Sequence, residues 1–99
     1  MADHPGVIFH DSPTHQRVAS LAGGPDVAEV IDVLTGLEAR GDERVAETAE
    51  WFGIHVSQVR VAMGYYTRFR DEIDRQIEQR RREAHELRHQ YELEQGLLE

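Results

Sequence analysis

The chain has 99 residues, 19 acidic and 11 basic side chains, a net charge near −8 and no cysteine. That length suits a single domain with a core of modest net stability, and the lack of cysteine excludes disulfides and thiolate metal sites. No apolar run approaches the roughly 20 residues of a membrane span, and the start lacks the basic and apolar parts of a signal peptide, so a soluble cytoplasmic protein without membrane contact is expected.

Along the chain, Val7–His10 and Gln16–Leu21 are short strand-like runs around the turn-rich Asp11-Ser12-Pro13-Thr14. A lone hairpin is marginal in water. Its strand edges and apolar residues are therefore expected to need a second copy, giving a homodimer. Gly23-Gly24-Pro25 punctuates this arm. Asp26 and Glu29 form a capping box for a helix with Val27, Val30, Ile31, Leu34 and Leu37 on one stripe, closed by Gly41. Asp42 is the expected cap of the next helix.

Residues 44–69 read as a helix-turn-helix, an arrangement that usually lays its second helix in a DNA groove. Val45, Ala49 and Phe52 fall at helical spacing, Gly53 supplies a left-handed stop, and Ile54 plugs the turn. Trp51 reads as a packing residue, in the core or a dimer contact, and His55 as an exposed turn residue. Ser57 is the expected N-cap of the second helix, whose inward face is Val59, Ala62, Met63, Tyr66 and Phe69. That leaves Ser57, Gln58, Arg60, Tyr65, Thr67 and Arg68 off the core stripe as candidate DNA contacts. Arg60 has the fork for guanine and Gln58 the amide for adenine, while Tyr65, Thr67 and Arg68 suit phosphates.

Charge distribution bears on this reading. Residues 1–50 hold three arginines against ten acids, and residues 60–82 hold seven arginines against four. The acidic total opposes non-specific DNA binding, but a local basic stretch can face operator DNA with strong salt dependence. The acidic surplus elsewhere suits a basic protein partner.

From Asp71 to about Gln95 nothing breaks a helix, and Gly96 is expected to end it. Either this is a fourth helix or the third bends and continues. Pairs such as Asp71 with Arg75 and Glu78 with Arg82 favour it. Its seam of Ile73, Ile77, Ala84, Leu87 and Tyr91 is thin and interrupted by Arg80 and Glu94. Twenty-five residues span about 37 Å, more than the roughly 28 Å of a globule built from the first seventy. Such a helix outruns its own core and implies a partner. His85-Glu86-Leu87-Arg88-His89 matches the H-E-x-x-H zinc pattern. No later histidine and no second element remain to complete a cleft, so neither metal nor cofactor nor catalysis is expected.

Taken together, the strand pair, Leu21–Val27, the helix ending at Gly41, Val56–Tyr66 and the triplet Glu72-Ile73-Asp74 resemble a family of small actinobacterial type II antitoxins with a homeodomain-like fold. The resemblance covers Val7 to about Ile77. It implies an antitoxin that pairs with a PIN-like ribonuclease toxin, binds its operator as a dimer and blocks the toxin with its C-terminal segment. On that reading Ile73, Ile77, Ala84, Leu87 and Tyr91 line the toxin groove, and one of Arg80, Arg81, Arg82 or Arg88 reaches the toxin's acidic Mg²⁺ pocket bidentately. The expected architecture is a mostly α-helical, homeodomain-like helix-turn-helix: residues 1–22 a β arm, 23–70 the helical domain, and 71–99 a partner-binding tail. Two other functions fit the same residues. One is a free-standing dimeric transcription regulator, and the other a protein-interaction adaptor that never touches DNA.

Overall fold

The computed structural model describes residues 5–11 and 17–99. The expected turn at Ser12–Thr14, with His4 and His15, lies outside the described residues. Strands β1 (Val7–Asp11) and β2 (Arg17–Leu21) pair antiparallel, with Val7 opposite Leu21 and Asp11 opposite Arg17. Four helices follow: α1 (Val27–Gly36), α2 (Gly41–Phe52), α3 (Val56–Arg68) and α4 (Arg70–Leu97). The fold is mostly helical, with a short N-terminal hairpin and a long C-terminal helix, and measures 51 × 33 × 23 Å.

One core joins all six elements. Val7, Ala19 and Leu21 of the hairpin meet Val27, Val30, Ile31 and Leu34 of α1. Val45 and Ala49 come from α2, Val59, Ala62 and Tyr65 from α3, and Ile73 and Ile77 from α4. The apolar face of the hairpin is thus covered by its own chain, which removes the apolar half of the argument for a dimer and leaves the strand edge. On the hairpin Ile8 stays half exposed.

Helix α1 opens on the expected capping box, where Glu29 Oε1 accepts the Asp26 backbone N–H at 3.4 Å. It ends at Gly36, five residues before the expected stop at Gly41. There Leu37 turns extended, and the Arg44 guanidinium donates to the carbonyls of Leu37 and Ala39 at 2.9 and 2.7 Å. Gly41, at φ +61°, opens α2 instead, and Arg40 stands at its N-cap position in place of Asp42.

The link between α2 and α3 is three residues long. Gly53 adopts φ +65°, its N–H donating to Glu50 O, and the Ile54 N–H donates to Ala49 O. This is a Schellman ending, which only a residue tolerant of left-handed backbone closes without strain. His55, and not Ser57, is the N-cap of α3. Its Nδ1 accepts the Ser57 N–H at 3.1 Å, while Gln58 Oε1 accepts the His55 N–H at 3.0 Å.

Helix α3 is rotated from its expected setting. Its buried row is Val59, Ala62 and Tyr65, with Met63 and Tyr66 only partly covered and Phe69 41% exposed. Tyr65 goes inside because partners wait for it there. The Phe9 and Phe69 ring centroids lie 6.1 and 4.6 Å away, and its hydroxyl donates to Glu72 Oε2 at 2.7 Å. Burial, with that bond to Glu72, pushes the Tyr65 phenol well above its usual range.

Phe69 (φ −128°, ψ 43°) breaks the chain between α3 and α4. Helix α4 runs through Gly96, which does not stop it. Its buried half carries the unfavourable nucleation, so the exposed half needs only favourable propagation. Trp51 stands 69% exposed, so it is not part of the core, the first of its two expected packing roles. The buried row of α2 is Val45, Thr48 and Ala49, and Trp51 points away from it.

Candidate interaction surfaces

Three surfaces are built by these elements. The first is the outward side of α3, where Ser57, Arg60, Thr67 and Arg68 are exposed. Tyr65 is not part of it, being 2% exposed in the core. Gln58 is half-buried with its amide oxygen held by the His55 N–H, so it does not present oxygen and nitrogen together as an adenine contact requires. Arg60 Nη2 pairs with Asp42 Oδ1 at 2.9 Å, both being exposed, and the Thr67 hydroxyl donates to Gly64 O at 2.8 Å. Among the described residues Arg68 has no ion pair.

The second surface is α4, which divides sharply along its length. Ile73 and Ile77 are 0% and 8% exposed in the chain's own core, so they are not available to line a partner's groove. Arg80 lies 4.0 Å from Asp26 Oδ2 and 3.5 Å from Glu29 Oε2, and Arg81 pairs with Asp32. These contacts fasten the middle of α4 along α1, and they explain why Arg80 interrupts an apolar seam. Arg82 pairs with Glu78 at 3.2 Å, one turn back on its own helix. From Arg81 to Glu99 every residue is exposed. Ala84, Leu87 and Tyr91 continue the row of Ile73 and Ile77 after a seven-residue step across Arg80 and Arg81, and Arg88 beside them has no ion pair among the described residues. The histidines of the H-E-x-x-H pattern lie on this exposed stretch. Among the described residues, no three His, Cys, Asp or Glu side chains are placed to hold a metal ion.

The third is a polar junction where the hairpin, α1 and α4 meet at Asp26. Ser20 Oγ donates to Asp26 Oδ1, His10 Nε2 lies 3.0 Å from the same oxygen, and Arg80 approaches the other. The hydrogen bond to Asp26 is the main reason the His10 pKa is raised from 6.5, with lesser help from Asp11 against partial burial. Serine, histidine and aspartate converge here without forming a nucleophilic site. Both Ser20 and His10 bond the carboxylate, so no imidazole stands ready to take the Ser20 proton. Sequence reasoning found Asp26 as a cap and missed the junction, because its other members come from distant segments. Only the capping pattern pointed to this position.

Among the described residues no helix is long and apolar enough to cross a membrane. Comparison with known protein families, curated proteins and solved structures finds no match to this chain.

Proposed function

We propose that the protein is a type II antitoxin, which neutralises a PIN-like ribonuclease toxin with the distal half of α4 and represses its own operon through α2 and α3 acting as a helix-turn-helix. The observation that carries the reading is the division of α4: an apolar row starts in the core at Ile73 and Ile77 and resumes past Arg80 and Arg81, exposed, at Ala84, Leu87 and Tyr91. A helix whose apolar row outlasts its own core is suited to a hydrophobic groove on a partner. The anchor set is Ala84, Leu87 and Tyr91, with Arg88 and Arg82 as the arginines nearest to hand for the toxin's acidic pocket. On the operator side, Arg60, Arg68, Ser57 and Thr67 are the groups at the protein–DNA contact. A cytoplasmic homodimer, paired through the free edge of β1 beside Ile8, completes the reading. It is a binding protein and not an enzyme.

The test is a pull-down from the host followed by co-expression with the small ribonuclease that co-purifies; the absence of one would overturn the reading. A chain ending at Glu83 keeps Ile77 and both α1-clamping arginines, so it should fold and still fail to rescue growth. Full rescue by that shortened chain would overturn the assignment of the tail. A mobility shift with DNA from upstream of the gene tests the other half, since Arg68→Ala should weaken all sequences alike and lower the salt slope.

A second reading, the protein-interaction adaptor, is favoured by the state of α3. Arg60 is paired with Asp42 and Gln58 is committed to the cap. No shift at low salt, with the partner present, would select it.

A further inference from the structure

We propose that the outward face of α2, formed by Glu43, Glu47, Glu50 and Trp51, is a docking surface for an arginine-rich segment of a partner protein. It lies apart from the distal half of α4 and does not depend on what α4 binds.

Glu43, Glu47 and Glu50 fall at i, i+4 and i+7, one above another on the side of α2 opposite its buried row. All three are exposed, and among the described residues none has an ion-pair partner. The one cation in α2 is Arg44, and its guanidinium is spent on the Leu37 and Ala39 carbonyls. The nearby Asp42 already holds Arg60. Like charges one turn apart repel, and Glu50 stands in the last turn, at the negative end of the helix dipole. Glu43, in the first turn, suits the dipole, but Glu47 and Glu50 work against α2, and none of the three contributes to its packing.

Beside it Trp51, four residues after Glu47, holds a large ring 69% open to solvent. An indole face flanked by carboxylates matches guanidinium chemistry in two ways at once. The fork binds carboxylate, and the planar cation stacks on the ring. Exposed tryptophan that anchors a polar surface is also the residue type most enriched at binding hot spots. Nucleic acid is repelled by this row. A second copy of the chain is a poorer occupant, because its one run of consecutive arginines, Arg80, Arg81 and Arg82, is already paired within its own chain. Arg68 and Arg88, without ion pairs among the described residues, stand on separate helices.

Trp51 is the chain's single tryptophan, so its fluorescence reports on this face alone. The probe is a synthetic peptide of alternating arginine and alanine, titrated into the full-length protein. Emission should shift to the blue and saturate. The triple variant E43Q/E47Q/E50Q should weaken binding roughly tenfold or more. E83Q/E86Q/E92Q removes the same charge from α4 and should change binding by less than about threefold. Trp51→Phe, followed by anisotropy of labelled peptide, should weaken it as well. Equal weakening in the two triple variants would reduce the effect to net charge and overturn the proposal. So would unchanged emission at saturation. A concentration-dependent blue shift of the protein alone, abolished in E43Q/E47Q/E50Q, would make a second copy the occupant and overturn it too.

Discussion

Ile73→Ala measures where the core ends along α4. The side chain is completely buried, one turn into the helix, between the joint at Phe69 and the arginines that hold α1. Losing three carbons forfeits about 2.4 kcal/mol of transfer free energy. The cavity left behind raises the cost to about 3–4 kcal/mol, because α1 and α3 cannot both close onto α4. A chain of this size has a total stability of about 5–15 kcal/mol, so the variant should be severely weakened. Leu87→Ala, at a position 69% exposed and on the same row, should change stability by less than about 0.5 kcal/mol. Urea denaturation followed by circular dichroism at 222 nm gives both numbers. A loss below about 1 kcal/mol for Ile73→Ala would refute the burial argument, since core isoleucine truncations cost more than that. An equal loss for Leu87→Ala would show that the distal helix is already packed against something in the free protein.

Three further outcomes are expected. The raised pKa of His10 means its folded value exceeds the unfolded one, so its bond to Asp26 stabilises fully below 6.5 and fades as pH rises through the folded value. The urea midpoint should therefore fall more steeply as pH rises above 6.5 in the native protein than in His10→Gln, and parallel profiles would show that His10 contributes nothing. Tyr65→Phe strips the Glu72 carboxylate of its 2.7 Å donor and should cost about 1–2 kcal/mol in thermal melts; an unchanged melt would mean that the bond contributes nothing. In hydrogen exchange, amides beyond Glu83 should exchange much faster than those around Ile73, and Arg80→Gln should move that boundary toward the N-terminus; uniform protection along α4 would contradict the clamp.

Features set by neighbours in the chain were readable from sequence. The Asp26–Glu29 capping box and the Gly53 stop depend on residues within one turn, and both were found where the local pattern put them. Local pattern also misled at helix ends, where rival residues close by took the role: α1 stops at Gly36, Arg40 and His55 stand at the N-caps in place of Asp42 and Ser57, and α4 runs through Gly96. On the packed faces, what differed depended on distant segments. Tyr65 and Tyr66 are adjacent and chemically alike. Phe9 and Glu72 decided which one turned inward, and helical periodicity carries no information about either. Arg80 read as a flaw in an apolar seam because its acidic partners lie on α1, about fifty residues earlier. The position of Trp51 relative to Val45 and Ala49 already sets it off the buried row of α2, which excludes the core half of its expected packing role. On the α3 surface the residue types were found, but the bonds that occupy Gln58 and Arg60 were not.

Mechanically, α4 is a beam held at two supports, the joint at Phe69 and the clamp at Arg80 and Arg81. At 1.5 Å per residue the supports stand about 16 Å apart, and the overhang from Arg81 to Leu97 is about 24 Å long. A rod fixed at one end only would swing through a wide cone. Two supports give this one a bearing relative to α1, and through Asp26 the same bearing is shared with the hairpin. Whatever meets the far end therefore meets it already aimed, and forfeits less rotational freedom in docking than it would against a loose tail.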